Sequence, residues 1–326
     1  MNAISKSLPK EKISKQRIVR DLNAMGVNKG DHLSLGISFK SIGFVMGGPE
    51  TLIDALLEAV GPEGTIMVNT FTEFFYPTEV EFEMVDYVFD VESTEVNTGI
   101  IPETFRKRDD AVRSRHPVVS VAAIGRMAEF LTESHDETAD AYLPFSKLSE
   151  IDGKYLAIGI GDRLVGIRHQ AQHLAGLLDV VPWRRCVRYK TSDGEIKIFT
   201  LKDRGGCVKR LPELVSHLRS IGIVKDGKIG QASAVLVPAR ESLAVMAELL
   251  IQNPSINLCN SVWCLWCREL EGRLNLYERI EHPRYFQKNV AIRKLVGAVN
   301  KFREKDSRAV TRFKLFVKEN ILPRVR

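Results

Sequence analysis

Ile18, Leu22 and Met25 recur at helical spacing through residues 16–25, which predicts an amphipathic helix, and Gly26 and Gly30 suit its end and the turn beyond. From His32 to Ile37 the pattern becomes a short apolar run, the signature of a buried strand, and leads into the glycine-rich segment SFKSIGFVMGG at 38–48. A second amphipathic stretch at 49–60, the turn GPEG at 61–64 and the apolar run TIMVNTFT at 65–72 follow. Strand, glycine turn, helix and strand make a βαβ unit, so the pattern predicts an α/β sheet whose ligands lie beyond the carboxyl ends of its strands. Farther along, KYLAIGIG at 154–161 predicts a strand and IRHQAQHLAGLL at 167–178 a helix. RYKTSDGEIKIFTL at 188–201 predicts a hairpin turning on Asp193 and Gly194, and helices are expected near 211–220 and 238–251. Gly159 and Gly161 begin a dinucleotide-binding pattern, but Leu164 stands where its third glycine belongs, so that reading is dropped.

Composition narrows the class. The chain has 326 residues, 44% of them hydrophobic and 27% charged, and a mean hydropathy of -0.10, which excludes disordered and collagen-like proteins. No apolar stretch approaches the roughly 18–20 residues of a membrane span, and the first residues, MNAISKSLPKEKISKQR, lack the apolar run of a secretion signal, so a cytoplasmic protein is expected. Five cysteines, unevenly spread, do not make a disulfide framework.

The net charge of +6 is unevenly distributed. Residues 271–326 hold 15 Lys and Arg against 6 Asp and Glu, a net of +9, leaving 32 basic and 35 acidic residues before them, a net of -3. In the tail, Ile292, Leu295, Val296, Val299 and Phe302, then Val310, Phe313, Phe316, Val317 and Ile321, repeat at helical intervals between Lys and Arg. This predicts a basic helical C-terminal extension over 258–326, distinct from a main domain over 1–257. Its apolar stripes suit packing on the main domain or a homodimer partner, with membrane-surface contact as the sharper alternative. No nucleic-acid-binding motif accompanies the charge, and none is expected as a partner.

Several segments, in order and spacing, resemble the antibiotic N-acetyltransferase family typified by aminoglycoside 3-N-acetyltransferases. They are 35–72, 97–125, 144–161, the run His173-Leu174-Ala175 and GKIGQASAVL at 227–236. The resemblance is strongest in R-S-x-H-P-x-x-S, here Arg113, Ser114, His116, Pro117 and Ser120, and in the segment from Ser38 to Gly48. It implies an α/β sandwich of its own type that transfers acetyl from acetyl-CoA to an amine. Three positions depart from the family pattern: Gly36 stands where a histidine is usual, and Gln170 and Gly176 replace the threonine and glutamate of T-x-x-H-x-A-E around the retained His173.

Acyl transfer to an amine needs a cradle for a phosphorylated co-substrate, a base for the ammonium proton and donors for the developing oxyanion. The turn formed by Ser38, Phe39, Lys40, Ser41, Ile42 and Gly43, with Arg113, Ser114 and Ser120, is the candidate acetyl-CoA site. His173 is the candidate base, and His116 and His169 are further catalytic candidates. The segment from Glu73 to Glu95 holds eight acidic residues, no Lys or Arg and six aromatics, and Glu73 and Asp90 are taken from it as candidate contacts for an acceptor ammonium group. Loss of the glutamate at 176 favours a single amino sugar, such as a surface polysaccharide precursor, over a polycationic aminoglycoside drug. The alternative is a degenerate family member that binds CoA or a sugar without turnover. His169 and His173, four apart, lack a further ligand at metal spacing. Cys259, Cys264 and Cys267, at C-x4-C-x2-C spacing with His282 beyond, read more simply as buried small side chains, and no metal is expected.

Overall fold

The computed structural model describes residues 11–271 apart from 76, 82, 178–184, 202–210, 260, 262, 263, 265, 266 and 269. The tail stripes and His282 fall outside the described residues. Among the described residues the main sheet has seven strands, in the order Lys225–Ile229, Ala232–Pro238, Lys154–Ile158, His32–Ile37, Thr65–Asn69, Val121–Gly125, Val112–Arg113. His32–Ile37 is its centre and pairs in parallel with both neighbours, while the outer pairings are antiparallel. The predicted βαβ unit is therefore present, with the helix Gly48–Val60 as its crossover.

Alternation along the central strands divides the interior into two layers, as a sheet covered on both faces requires. Leu33, Leu35, Ile66, Val68, Leu156 and Ile158 face one layer, where the helices Lys15–Ala24, Gly48–Val60 and Ile100–Arg106 pack. Met67, Val121, Ala123, Tyr155, Ala157 and Val235 face the other, covered by Leu143–Glu150, Val165–Leu174, Leu211–Ser220 and Ala239–Gln252. The crossover helix buries Leu52, Ile53, Leu56 and Val60, each contributing roughly 1.5–3 kcal/mol by removal from water. Lys15–Ala24 begins where Ser14 Oγ accepts the Arg17 N–H at 3.2 Å, a cap worth about 1 kcal/mol.

A second, smaller sheet shapes the site. The predicted hairpin forms from Arg185–Lys190 and Ile196–Leu201, and Val88–Phe89 from the acidic segment adds a parallel third strand. At the other end of the chain, the change of character near Asn257 is not accompanied by a break in packing. Cys259, Cys267 and Leu270 join the same buried cluster as Leu218 and Leu250.

Candidate active site

The R-S-x-H-P-x-x-S motif folds into a closed knot of hydrogen bonds between Val112–Arg113 and Val121–Gly125. Pro117 permits the turn, and His116 Nδ1 accepts the N–H groups of Val118 and Val119 at 3.2 and 3.1 Å. With its Nδ1 lone pair engaged, neutral His116 carries its proton on Nε2 and presents a donor there. Burial, reinforced by neighbouring His135, lowers its pKa well below the usual histidine value. His135 stacks on it with ring centroids 4.8 Å apart. The His135 ring is itself held between the Ser114 hydroxyl, 2.9 Å from Nδ1, and the Ala141 carbonyl, 3.2 Å from Nε2.

Arg113 is fully occupied inside the protein. Its Nε–H donates to Ser120 Oγ at 3.3 Å, Nη1 to the carbonyls of Val91 and Thr94 at 3.0 and 2.7 Å, and Nη2 to the Thr70 carbonyl at 3.2 Å. Burial, with Arg106 nearby, lowers its pKa to about 10. Ser120 Oγ donates to the Thr70 carbonyl at 2.7 Å, and Ser114 Oγ accepts the Val121 N–H at 2.9 Å. These three candidates for acetyl-CoA contact thus tie the strand ends Thr70 and Val121 to the 91–94 loop, and Ser114 and Ser120 are buried.

The turn from Ser38 to Gly43 closes the central strand. Ser38 N–H donates to the Ile158 carbonyl at 2.8 Å, the Ser38 and Ser41 hydroxyls lie 2.8 Å apart, and Ser41 Oγ reaches the Gly159 carbonyl at 3.3 Å. Ile42 is buried, Phe39 and Gly43 are half-buried, and Lys40 is exposed. Lys40 makes no ion pair among the described residues, so this turn keeps a cation and two half-buried hydroxyls that fit a phosphate-bearing co-substrate. The histidine usual two positions earlier has no room here. A Cβ at Gly36 would lie 2.6 Å from both Ile160 Cδ1 and the hydroxyl of Tyr155, which is fully buried.

His169 and His173 share the helix Val165–Leu174 but have opposite surroundings. His169 is buried against the Tyr142 ring, with Nδ1 2.7 Å from Gln172 Oε1, and burial beside Arg168 holds its pKa well below the usual value. It belongs to the core. His173, half-buried, places Nε2 3.3 Å from Asp140 Oδ2. The helix ends just beyond it in a left-handed cap, where Gly176 takes φ +68°, its N–H donates to the His173 carbonyl at 2.9 Å, and the Leu177 N–H donates to the Gln172 carbonyl at 2.8 Å. The glycine at the family's glutamate position therefore terminates the helix and brings no carboxylate to His173, whereas Asp140 does.

Asp140 opens onto a cavity of about 410 Å³ lined by His116, Glu137, Asp140, Tyr189, Phe199 and Leu201 among others. That volume suits a sugar-sized ligand. Tyr189 donates its hydroxyl to Glu137 Oε1 at 3.4 Å, and Phe199 meets the His116 ring edge-on at 5.0 Å. The acidic and aromatic residues of this cavity come from segments other than Glu73–Glu95. Exposed Glu73 accepts from Asn97 at 3.4 Å. Asp90 accepts the N–H groups of Glu92 and Ser93 and pairs with Lys190 at 3.1 Å. Burial alone would raise the Asp90 pKa, but Lys190 and these amides hold it below the usual value. Neither Glu73 nor Asp90 lines the cavity. Sequence reasoning did not single out Asp140, Glu137, Tyr189 and Phe199, although HDETAD at 135–140 packs three carboxylates into five residues.

Comparison with known proteins identifies the family. The family model described as aminoglycoside 3-N-acetyltransferase matches residues 35–251. Aminoglycoside N(3)-acetyltransferase VII of Streptomyces paromomycinus is 30% identical over 256 residues, covering 70% of this chain and 88% of that protein. Among solved structures, AAC-IIIb in a binary complex with CoASH superposes with a TM-score of 0.64 at 26% identity, covering 74% of this chain and 97% of that one. AAC-VIa bound to sisomicin superposes with a TM-score of 0.65 at 27% identity, covering 74% and 98%.

Proposed function

The chain belongs to the aminoglycoside 3-N-acetyltransferase family, and from that premise we propose that it is an acetyl-CoA-dependent N-acetyltransferase acting on an amino group of an amino sugar. The observation that carries the reading is the pairing of His173 with Asp140, whose segment lines an acidic, aromatic cavity that His173 itself adjoins only through this carboxylate. A carboxylate accepting the Nε2–H of a neutral imidazole fixes its tautomer and leaves the basic lone pair on Nδ1.

Acetyl-CoA supplies the activated acyl group, and the chain's residues handle position and protons. Asp140 and Glu137 attract the acceptor's ammonium group into the cavity, where Tyr189 and Phe199 offer ring faces to a sugar. His173 takes one proton from the ammonium nitrogen, and Asp140 stabilises the imidazolium that results. The freed nitrogen pair forms the C–N bond as the C–S bond breaks with its electrons going to sulfur. The second nitrogen proton ends on that sulfur, and His173 returns its proton to solvent. His116, protonated on Nε2 and kept neutral by burial, serves as a donor on the cavity wall.

The acceptor's charge follows from the same wall. The preference for a single amino sugar rested on the glutamate missing at 176, but Glu137 and Asp140 return two carboxylates to the cavity. This supports an acceptor with more than one ammonium group, of the aminoglycoside class, over a surface polysaccharide precursor. The test is to incubate the protein with acetyl-CoA and a panel of aminoglycosides and mono-amino sugars while following thiol release. Turnover is expected, and His173→Ala should lower kcat by at least about 10²-fold. Absence of turnover with every acceptor would leave the non-catalytic reading in its place.

A further inference from the structure

Three cysteines outside the catalytic machinery converge at the end of the described core. The chain turns after the 3-10 segment Pro254–Asn257 and brings the Sγ atoms of Cys259, Cys264 and Cys267 within 4.8 Å of one another. Cys259 and Cys267 are buried, Cys264 is half-buried, and no disulfide joins them. We propose that these three thiolates form a binding site for a thiophilic metal ion of the zinc class, with a structural role separate from acetyl transfer.

Four observations support the site. A zinc ion bound to sulfur at about 2.3 Å holds its sulfurs about 3.8 Å apart in a tetrahedron, so the cluster needs to contract by no more than about 1 Å. The Cys259 N–H donates to Cys267 Sγ at 3.2 Å, and such a bond favours the charged thiolate that metal binding requires. Cys264 and Cys267, with two residues between them, follow a turn closed by the Cys264 N–H to the Ser261 carbonyl at 3.0 Å, and the Arg268 N–H then donates to the Cys264 carbonyl at 3.0 Å. Finally, Arg268 lies beside the cluster, its Nη2 donating to the Cys259 carbonyl at 2.6 Å. Its guanidinium also pairs with Glu271, so it places donors rather than a surplus positive charge beside the cluster.

Soft thiolate donors without carboxylates select zinc or another thiophilic ion over magnesium or calcium. The location assigns the role. Cys259, Cys267 and Leu270 belong to the cluster that includes Leu214, Leu218 and Leu250, so an ion there would fasten the chain's final described turn onto the helices Leu211–Ser220 and Ala239–Gln252. None of the three cysteines lines the 410 Å³ cavity.

The test uses the full-length protein, purified under reducing conditions from zinc-supplemented growth. Elemental analysis should find one zinc per chain, and exchange with Co2+ should produce the intense sulfur-to-cobalt charge-transfer absorption of a tetrahedral thiolate site. Cys264→Ser, at the most accessible of the three, should lose the zinc and lower Tm while leaving the acetyl-CoA KM unchanged. Because the cobalt spectrum is read on the unaltered chain, poor folding of the variant leaves the proposal testable. A metal-free protein that takes up no Co2+, full zinc retention when all three cysteines are replaced, or a disulfide between two of them in the freshly purified chain would each overturn it.

Discussion

His173 and Asp140 approach to 3.3 Å between Nε2 and Oδ2 although they come from different segments, the first near the end of the helix Val165–Leu174 and the second from the loop before Leu143–Glu150. The loop is anchored from below, since buried His135 bonds to the Ala141 carbonyl and to Ser114 of the R-S-x-H-P-x-x-S motif. The motif thus reaches His173 indirectly, by fixing the segment that carries Asp140.

If Asp140 orients His173 and stabilises its imidazolium, Asp140→Asn should lower kcat about 10- to 100-fold with little change in the acetyl-CoA KM. Steady-state kinetics on the purified variant decides this. Equal loss with Asp140→Glu, which keeps the charge but lengthens the reach, would show that position matters as much as charge. An unchanged kcat in Asp140→Asn would remove the carboxylate from the mechanism.

Arg113 looked in sequence like a phosphate ligand and in three dimensions is a clamp. Its guanidinium joins the Thr70 carbonyl to those of Val91 and Thr94. A lysine cannot span this fork, so Arg113→Lys should cost about 2–4 kcal/mol of stability. Denaturant unfolding measures the cost, and the acetyl-CoA KM of the remaining folded enzyme should stay near that of the parent. A stable variant with a greatly raised acetyl-CoA KM would instead make Arg113 a co-substrate ligand.

Gly36 is explained by its neighbours, because a Cβ there would meet Ile160 Cδ1 and the Tyr155 hydroxyl at 2.6 Å. Gly36→Ala should destabilise the protein by about 1–3 kcal/mol through overpacking. Ile160→Val removes the Cδ1 atom and should recover part of that loss, so the double variant should be more stable than the sum of the two single changes allows. Simple additivity in thermal unfolding would show that the clash is relieved some other way.

Buried neutral histidines give the fold a defined acid limb. Burial lowers His135 to about 4, and His116 and His169 well below the usual value. An unfolded histidine titrates near 6.5, so between about 6.5 and 4 the unfolded chain binds more protons than the folded one. Their contribution is complete above about pH 6.5 and is lost as pH falls, by on the order of 1 kcal/mol per pH unit per histidine. Glu103, held at about 2 against the cost of its burial by Arg106 and Lys107, contributes its own loss only in more acidic solution, below about 4.5. Tm should therefore drop between pH 7 and pH 5, and His135→Asn should flatten that slope. A Tm unchanged over this interval would contradict the neutral-core assignment.

The sheet was readable from sequence because its information is local. The run His32–Ile37, the crossover helix and the hairpin at Asp193-Gly194 each declare themselves within a dozen residues, and all appear in place. The cavity is built from long-range contacts. Asp140 acquires meaning from His173, Glu137 from Tyr189, and His116 from His135 and Phe199, and no periodicity links these pairs. The acidic density of 73–95 drew attention to Glu73 and Asp90, which do not line this cavity, because charge count does not say where a loop points. Asp90 is engaged by Lys190 and its own turn, while Glu137 and Asp140 of the shorter cluster line the cavity.

Acceptor choice is the consequence most directly open to measurement. Glu137, partly held by Tyr189, and Asp140 give the cavity wall two carboxylates, and the described lining contains no Lys or Arg. Each additional ammonium group on an acceptor gains attraction that salt screens over about 8–10 Å at ordinary ionic strength. A polyamine aminoglycoside should accordingly show a lower KM than a mono-amino sugar at low salt, and a steeper rise in KM as salt increases. Glu137→Gln should raise the aminoglycoside KM several-fold, leave the mono-amino sugar less affected, and change kcat little, because Glu137 attracts the substrate without contacting the base. Stopped-time thiol-release assays across a salt series separate these effects. Equal salt dependence for the two acceptors, or a Glu137→Gln effect confined to kcat, would move substrate recognition away from this wall.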